Sequence, residues 1–195
     1  MDETRQTFLD ELYAHGRAHD ERYEDRLERL RNVEPETAEL LGVLVRSMQA
    51  ERVLEIGTSN GYSTIWLGDA AEAVGGTVLS IEIEAERTAQ AESNVAEAGV
   101  AEFVELRVAD AGEALRSFAD GEFCLIFLDA ERKYYVDYWP DLIRALRPNG
   151  LLVVDNTLSH AKELVEFSEL VYSDPAVTST LVTVGAGVLL IVKSP

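Results

Sequence analysis

Residues 53–63 read Val-Leu-Glu-Ile-Gly-Thr-Ser-Asn-Gly-Tyr-Ser, an apolar run that ends in a glycine-bearing turn and passes straight into a helical pattern. Val53–Ile56 has the length and apolar character of a buried strand, and Tyr62–Ala73 has helical periodicity. Working outward, the alternation repeats. Apolar runs at Thr77–Ile83, Phe103–Val108, Phe123–Leu128 and Leu151–Val154 are separated by helical stretches at Ala85–Ala98, Ala111–Phe118 and Tyr135–Leu146. Gly75-Gly76, Gly99, Gly121 and Pro148-Asn149-Gly150 punctuate them. Wholly apolar strands alternating with helices predict a doubly wound α/β domain, its mostly parallel seven-stranded sheet covered on both faces. A last helix near Lys162–Tyr172 precedes two β-rich runs, Thr178–Val184 and Gly187–Val192. Their short Gly185-Ala186-Gly187 link predicts a C-terminal antiparallel hairpin.

Residues 1–34 read as an N-terminal helical segment and 35–195 as the domain proper. Leu9, Leu12 and Tyr13 recur at helical spacing, as do Tyr23, Leu27 and Leu30, with Gly16 predicting a break between the groups. Pro35 is expected to open a helix reaching about Met48. The N-terminal apolar stripe needs a partner, either this domain or the second subunit of a homodimer.

The chain of 195 residues has 17 Lys and Arg against 36 Asp and Glu, a formal net charge of −19. So acidic a surface repels phosphate backbones and anionic lipid, which argues against nucleic-acid and membrane partners. The single Cys124 excludes an internal disulfide, and a charged N-terminus without a long apolar run predicts a cytoplasmic location. Lysine is confined to positions 133, 162 and 193. Acid excess with scarce lysine suits a high-salt cytoplasm, and genomic base composition accounts for the arginine preference equally well.

In sheets of this kind ligands bind beyond the carboxyl ends of the strands. Gly57 and Gly61 permit a tight turn, and the following helix offers free N–H groups, but the spacing is neither GxGxxG nor a nucleoside-triphosphate loop. Glu82, ending the second strand, is placed to accept hydrogen bonds from ribose hydroxyls. Asp110, Asp129, Asp155 and Asn156 end the later strands. Each alone reads equally as a turn former or helix cap. Five polar strand ends in one sheet, with the glycine turn at the first, point instead to one shared site.

The stretches VLEIGTSNGYSTIWL, SIEIEAER, FLDAERKYY and LLVVDNTL resemble class I S-adenosylmethionine-dependent O-methyltransferases related to catechol and caffeoyl-CoA O-methyltransferases. The resemblance covers about residues 35–158 and implies a Rossmann-like fold and methyl transfer to a small hydroxylated acceptor. It implies a cofactor set of Glu55, Gly57, Thr58, Ser59, Gly61, Ser63, Glu82, Ile83, Asp110, Ala111 and Asp129. Within it, Gly57 to Ser63 would hold the methionine end, Glu82 the ribose, and Ile83, Asp110 and Ala111 the adenine. Asp129, Asp155 and Asn156 would hold Mg2+ or another divalent cation, for which hard oxygen donors are suited. Two departures stand out. The family's lysine three residues after the metal aspartate is Arg132 here, followed by Lys133. The loop after Asn156 is short, with Thr157–Lys162 leading almost directly into helix. Arg132 can stabilise a phenolate but not take its proton, whereas Lys133 and His160 are candidate bases. Lys133 reads equally as a solvated charge, and His160 as a solvent-facing residue at a helix start. These departures keep open a non-catalytic cofactor sensor and a metal-independent methyltransferase. Trp139, within the cluster 134–139, is expected at a substrate pocket or a dimer contact.

Overall fold

The structure is a computed structural model that describes residues 1–25 and 28–195. Leu27, part of the expected N-terminal periodicity, lies outside the described residues. The elements run α1 (Glu3–Asp20), α2 (Pro35–Met48), β1 (Arg52–Ile56), α3 (Tyr62–Val74), β2 (Thr77–Glu82), α4 (Ala85–Glu97), β3 (Val104–Val108), α5 (Ala111–Ser117), β4 (Phe123–Leu128), α6 (Tyr135–Ala145), β5 (Leu146–Val154), α7 (Val165–Ser173), β6 (Val177–Val182) and β7 (Val188–Lys193). They form one seven-stranded sheet in the order β3-β2-β1-β4-β5-β7-β6. β1 to β5 pair in parallel, while β7 runs antiparallel to both β5 and β6.

The period-two alternation of the strands divides the core into two layers. Val53, Val78, Leu125, Phe127 and Val153 face one side, where α1, α2, α3 and α4 cover them. Leu54, Leu79, Ile126, Leu128 and Leu152 face the other, under α5, α6 and α7. β4 is buried at every position, the mark of a central strand covered on both faces, whereas edge strands β3 and β6 are only partly buried and carry Glu105, Arg107 and Thr180. The expectation of wholly apolar strands therefore fails at the two sheet edges.

The N-terminal segment departs from expectation at Gly16. Helix α1 runs through it to Asp20 without a break, and of the one or two helices that the pattern allowed, one precedes Pro35 among the described residues. Gly16 serves packing instead, because a Cβ there would lie 2.5 Å from Asn32 Nδ2. The apolar stripe is taken up by the chain's own core, with Leu9 and Leu12 buried in the first layer. Asp69 of α3 ties the segment down, accepting from Arg5 of α1 and, at 2.6 Å, from Arg46 of α2.

Pro148-Asn149-Gly150 does not end an element but lies within β5, where the pairing to β4 shifts register and Asn149 takes φ 57°. The turn after Asn156 is longer than expected. Residues 157–164 are coiled turns, and α7 begins only at Val165. Amides of Leu158 and Ser159 donate to Ala186 O, each at 3.0 Å, so the β6–β7 link backs this turn. No helix among the described residues is long and apolar enough to cross a membrane.

Candidate active site

The chain leaves β1 for β2 on one side and β4 on the other, so a crevice opens beyond the carboxyl ends of β1 and β4. It is a cavity of about 420 Å3. The two strand ends approach so closely that a Cβ on Gly57 would lie 2.0 Å from the Asp129 carbonyl oxygen. Gly57 takes φ 105°, a conformation glycine adopts without a side-chain clash.

Beneath the turn lies a buried polar floor. The Glu55 carboxylate is fully buried and accepts from the hydroxyls of Ser63 and Ser80, both at 2.6 Å, and from Thr64. Thr58 and Ser80 share a further hydrogen bond at 2.6 Å. Burial pushes the Glu55 carboxyl up to about 7 although the three hydroxyl bonds favour its charged form. Of the residues that the resemblance implied for the cofactor, Glu55 and Gly61 are not on the crevice wall. Glu55 instead braces the turn against α3. Gly61, at φ 87°, lets α4 approach, since a Cβ there would meet Ala91 at 3.1 Å. The hydroxyls of Thr58 and Ser63, though their residues line the crevice, are engaged with the floor.

At one end of the crevice, Glu82 is clamped. Its Oε2 accepts from Ser59 N at 2.9 Å, and its Oε1 from the amides of Ile83 and Glu84 at 2.9 and 3.1 Å. Three amides fix the carboxylate, which lines the cavity. Ile83 beside it leaves 65% of its surface exposed, an apolar face on the wall with no protein cover. Asp110 caps α5 by accepting from Glu113 N at 2.9 Å and, with Ala111, also lines the cavity. Asp110 thus caps the helix and faces the crevice at once.

At the other end stand Asp129, Asp155 and Asn156. Asn156 Nδ2 donates to Asp129 Oδ1 at 3.0 Å and to Asp155 Oδ2 at 3.1 Å. Asp155 Oδ1 is buried without a hydrogen-bond partner among the described residues. Burial raises the affinity of both carboxyls for a proton, and for Asp155 the charge of Asp129 adds to it. Two crowded carboxylates, one with an orphaned oxygen, suit a divalent cation. Asn156 turns its amide nitrogen toward them and its Oδ1 toward the Ser159 hydroxyl, so its carbonyl becomes available to a cation only when the amide rotates. Among the described residues no group of three or more His, Cys, Asp or Glu side chains could hold a metal.

All three candidate proton-handling residues line the same cavity. The Arg132 side chain is 5% exposed, its Nε donating to Glu163 at 2.9 Å. The Lys133 ammonium lies 4.7 Å from the centre of the Tyr134 ring. His160 Nδ1 shares a hydrogen bond with Ser159 Oγ at 2.9 Å, and the residue sits in the 157–164 turn, not at the helix start expected for it.

Trp139 belongs to the core, stacked edge-on against Phe167 with its Nε1 donating to Asp174. Tyr134 and Tyr138, paired at 5.9 Å, reach the cavity in its place. Residues 30–34 also line it and were not expected there. The available signal was Pro35, which forces extended backbone on Glu34 and so sends the preceding chain across the strand ends.

A family model described as O-methyltransferase matches residues 17–194. The chain is 34% identical over 149 residues to a catechol O-methyltransferase of Niastella koreensis, covering 75% of this chain and 65% of that protein. It is 38% identical over 134 residues to a catechol O-methyltransferase of Mycobacterium tuberculosis, covering 69% of this chain and 60% of that one. The chain thus spans less than two thirds of the length of these curated relatives. Its fold matches the O-methyltransferase TomG of Streptomyces achromogenes, solved with S-adenosylmethionine, at a TM-score of 0.78 and 28% identity, over 100% of this chain and 91% of that one. Match and fold agree that the chain belongs to the O-methyltransferase family.

Proposed function

We propose that the protein transfers the methyl group of S-adenosylmethionine to a hydroxyl of a small catechol-like molecule, assisted by a divalent cation. One observation carries the reading: a rigid carboxylate, Glu82, and a crowded acid pair, Asp129 and Asp155, occupy opposite ends of one crevice. Glu82, held by three amides, is fixed to accept both ribose hydroxyls, while Ile83 offers an apolar wall to the adenine. The SAM-bound structure of a family member and the names of the two catechol O-methyltransferase relatives support the cofactor and the acceptor class.

Asp129 and Asp155, with the Asn156 carbonyl once its amide rotates, would hold the cation. When bound, it would lower the pKa of a chelated hydroxyl. The chain's own part is orientation and charge. Arg132, buried and always protonated, stabilises the acceptor oxygen as an anion. Once the hydroxyl has given its proton to water or to His160 on the crevice wall, its oxygen bonds to the methyl carbon as the carbon–sulfur bond breaks and S-adenosylhomocysteine leaves, a transfer promoted by proximity. The site's test is titration of S-adenosylmethionine with and without Mg2+ and catechol, in wild type and Asp155→Ala. Cofactor binding that strengthens when ion and catechol are added together, and loses this in the variant, is the expected result. Ion-independent turnover retained in Asp155→Ala would refute the metal role.

A second reading, a non-catalytic cofactor-binding domain, is favoured by Arg132 standing where a base would serve and by Lys133 lying over Tyr134. It predicts tight cofactor binding and no turnover of any phenol.

A further inference from the structure

Residues 30–34 cross the crevice as a strap whose backbone is pinned from two sides. Asp20, the last residue of α1, accepts from the amides of Leu30 at 2.7 Å and Arg31 at 3.0 Å. The Ser59 hydroxyl donates to the Leu30 carbonyl at 2.6 Å. These contacts hold Arg31 at φ 55°, in the left-handed region that a residue with a side chain enters only at a cost. Strain sustained by surrounding contacts is a feature of functional sites.

The strained backbone sends the Arg31 side chain onto the crevice wall beside Asp129, Glu131 and Arg132. There its fork is only half used. Nη1 donates to Glu131 Oε1 at 3.1 Å, whereas Nε, buried in this conformation, meets no acceptor among the described residues; the side chain is 35% exposed, so a turn of the guanidinium brings its Nε edge to the crevice. Nε and Nη2 together form the guanidinium edge that grips a carboxylate with two parallel hydrogen bonds. Asp129 does not take that edge. Its hydrogen bond comes from Asn156, and Arg31 acts on it only through space. A buried donor without an acceptor calls for one from a bound molecule.

We propose that Arg31 determines acceptor specificity, its Nε–Nη2 edge receiving a carboxylate carried by the hydroxylated ring that is methylated. The inference rests on the methyltransferase reading above. A chain of net charge −19 repels an anionic acceptor at long range, so such an acceptor needs a local cation to be held. Arg31 and Arg132 supply two beside the acid pair. The cofactor's own methionine carboxylate is the competing source of the same chemistry. Arg31 pairs with Glu131 at the Asp129 end of the crevice, away from Glu82, and that is the end that the methyltransferase reading assigns to the acceptor.

The experiment compares 3,4-dihydroxybenzoate with catechol as acceptors at fixed Mg2+, using wild type, Arg31→Met and Arg31→Lys. Wild type should favour the carboxylated ring. The ratio of kcat/KM values, carboxylated to plain, should fall at least tenfold in Arg31→Met and recover partly in Arg31→Lys. Calorimetry on protein saturated with S-adenosylhomocysteine should show the Kd for 3,4-dihydroxybenzoate rising at least tenfold in Arg31→Met. The Kd for S-adenosylmethionine should move less than threefold. An unchanged ratio overturns the proposal. An equal rise in the S-adenosylmethionine Kd also overturns it, assigning the edge to the cofactor. Wild-type protein that neither binds S-adenosylmethionine nor methylates catechol refutes the underlying methyltransferase reading, an outcome separate from either of these.

Discussion

Replacing Gly57 with alanine should destabilise the protein by about 2–3 kcal/mol and abolish cofactor binding. The magnitude comes from two sources. Gly57 holds φ 105°, and an L side chain there costs about 1–2 kcal/mol. The added Cβ would also lie 2.0 Å from the Asp129 carbonyl oxygen and 2.9 Å from its carbonyl carbon, against a practical minimum of 3.0 Å. The ends of β1 and β4 must therefore part by about 1 Å. One backbone hydrogen bond crosses this gap, Asp129 N to Ile56 O at 3.0 Å. Stretching it to near 4 Å forfeits about 1 kcal/mol. Urea unfolding followed through Trp66 and Trp139 fluorescence measures the loss, and calorimetry with S-adenosylmethionine measures the binding. A variant within about 1 kcal/mol of wild type that binds the cofactor within about threefold would refute the reasoning. It would show that the close approach of these strand ends can relax freely.

Three further outcomes follow from the same geometry. Glu82→Ala removes the carboxylate that three amides hold in place and should raise the S-adenosylmethionine Kd about 10- to 100-fold by calorimetry, with little change in fold by circular dichroism. Burial raises the Glu55 carboxyl from 4.5 to about 7, so the stability it contributes is full below about pH 4.5 and is lost as pH rises through 7. Relative to Glu55→Gln, wild type should lose about 3 kcal/mol across that window in urea titrations at several pH values; a parallel pair of curves would contradict the assignment. Asp69 behaves in the opposite sense: burial alone would raise its pKa, but hydrogen bonds from Arg46 and Arg5 hold it below the usual 3.8. Its contribution is present above that value and lost in acid, so Asp69→Ala should cost about 3 kcal/mol at neutral pH and progressively less below pH 4.

Much of the fold was legible because it is written in local periodicity. Phe123–Leu128 is apolar at every position and Val53–Ile56 at all but Glu55, and a strand with that pattern must lie between two helical layers. Gly57 and Pro35 carry backbone constraints of their own, so the turn after β1 and the start of α2 could be placed from the chain alone. The polar ends of the strands likewise marked one end of the sheet as the candidate site, and the structure brings them to one crevice. Periodicity misled where a feature depended on a distant neighbour. Gly16 reads as a break but is a packing contact for Asn32, and the edge strands carry charge because only one flank is paired.

The order of apolar runs, the glycine turn and the acids that follow each run were determined by the sequence, since each depends on residues within a few positions of one another. Which polar atoms share the crevice was decided only by the tertiary structure. Glu55 and Ser80 meet because β1 and β2 are paired neighbours, and that pairing withdraws Glu55 to the floor. Arg31 and Glu131, 100 positions apart, meet because the strap before α2 crosses the end of β4. Local periodicity fixes which face a residue presents, but the partner it finds there is set by the chain crossovers, which no short stretch of sequence records.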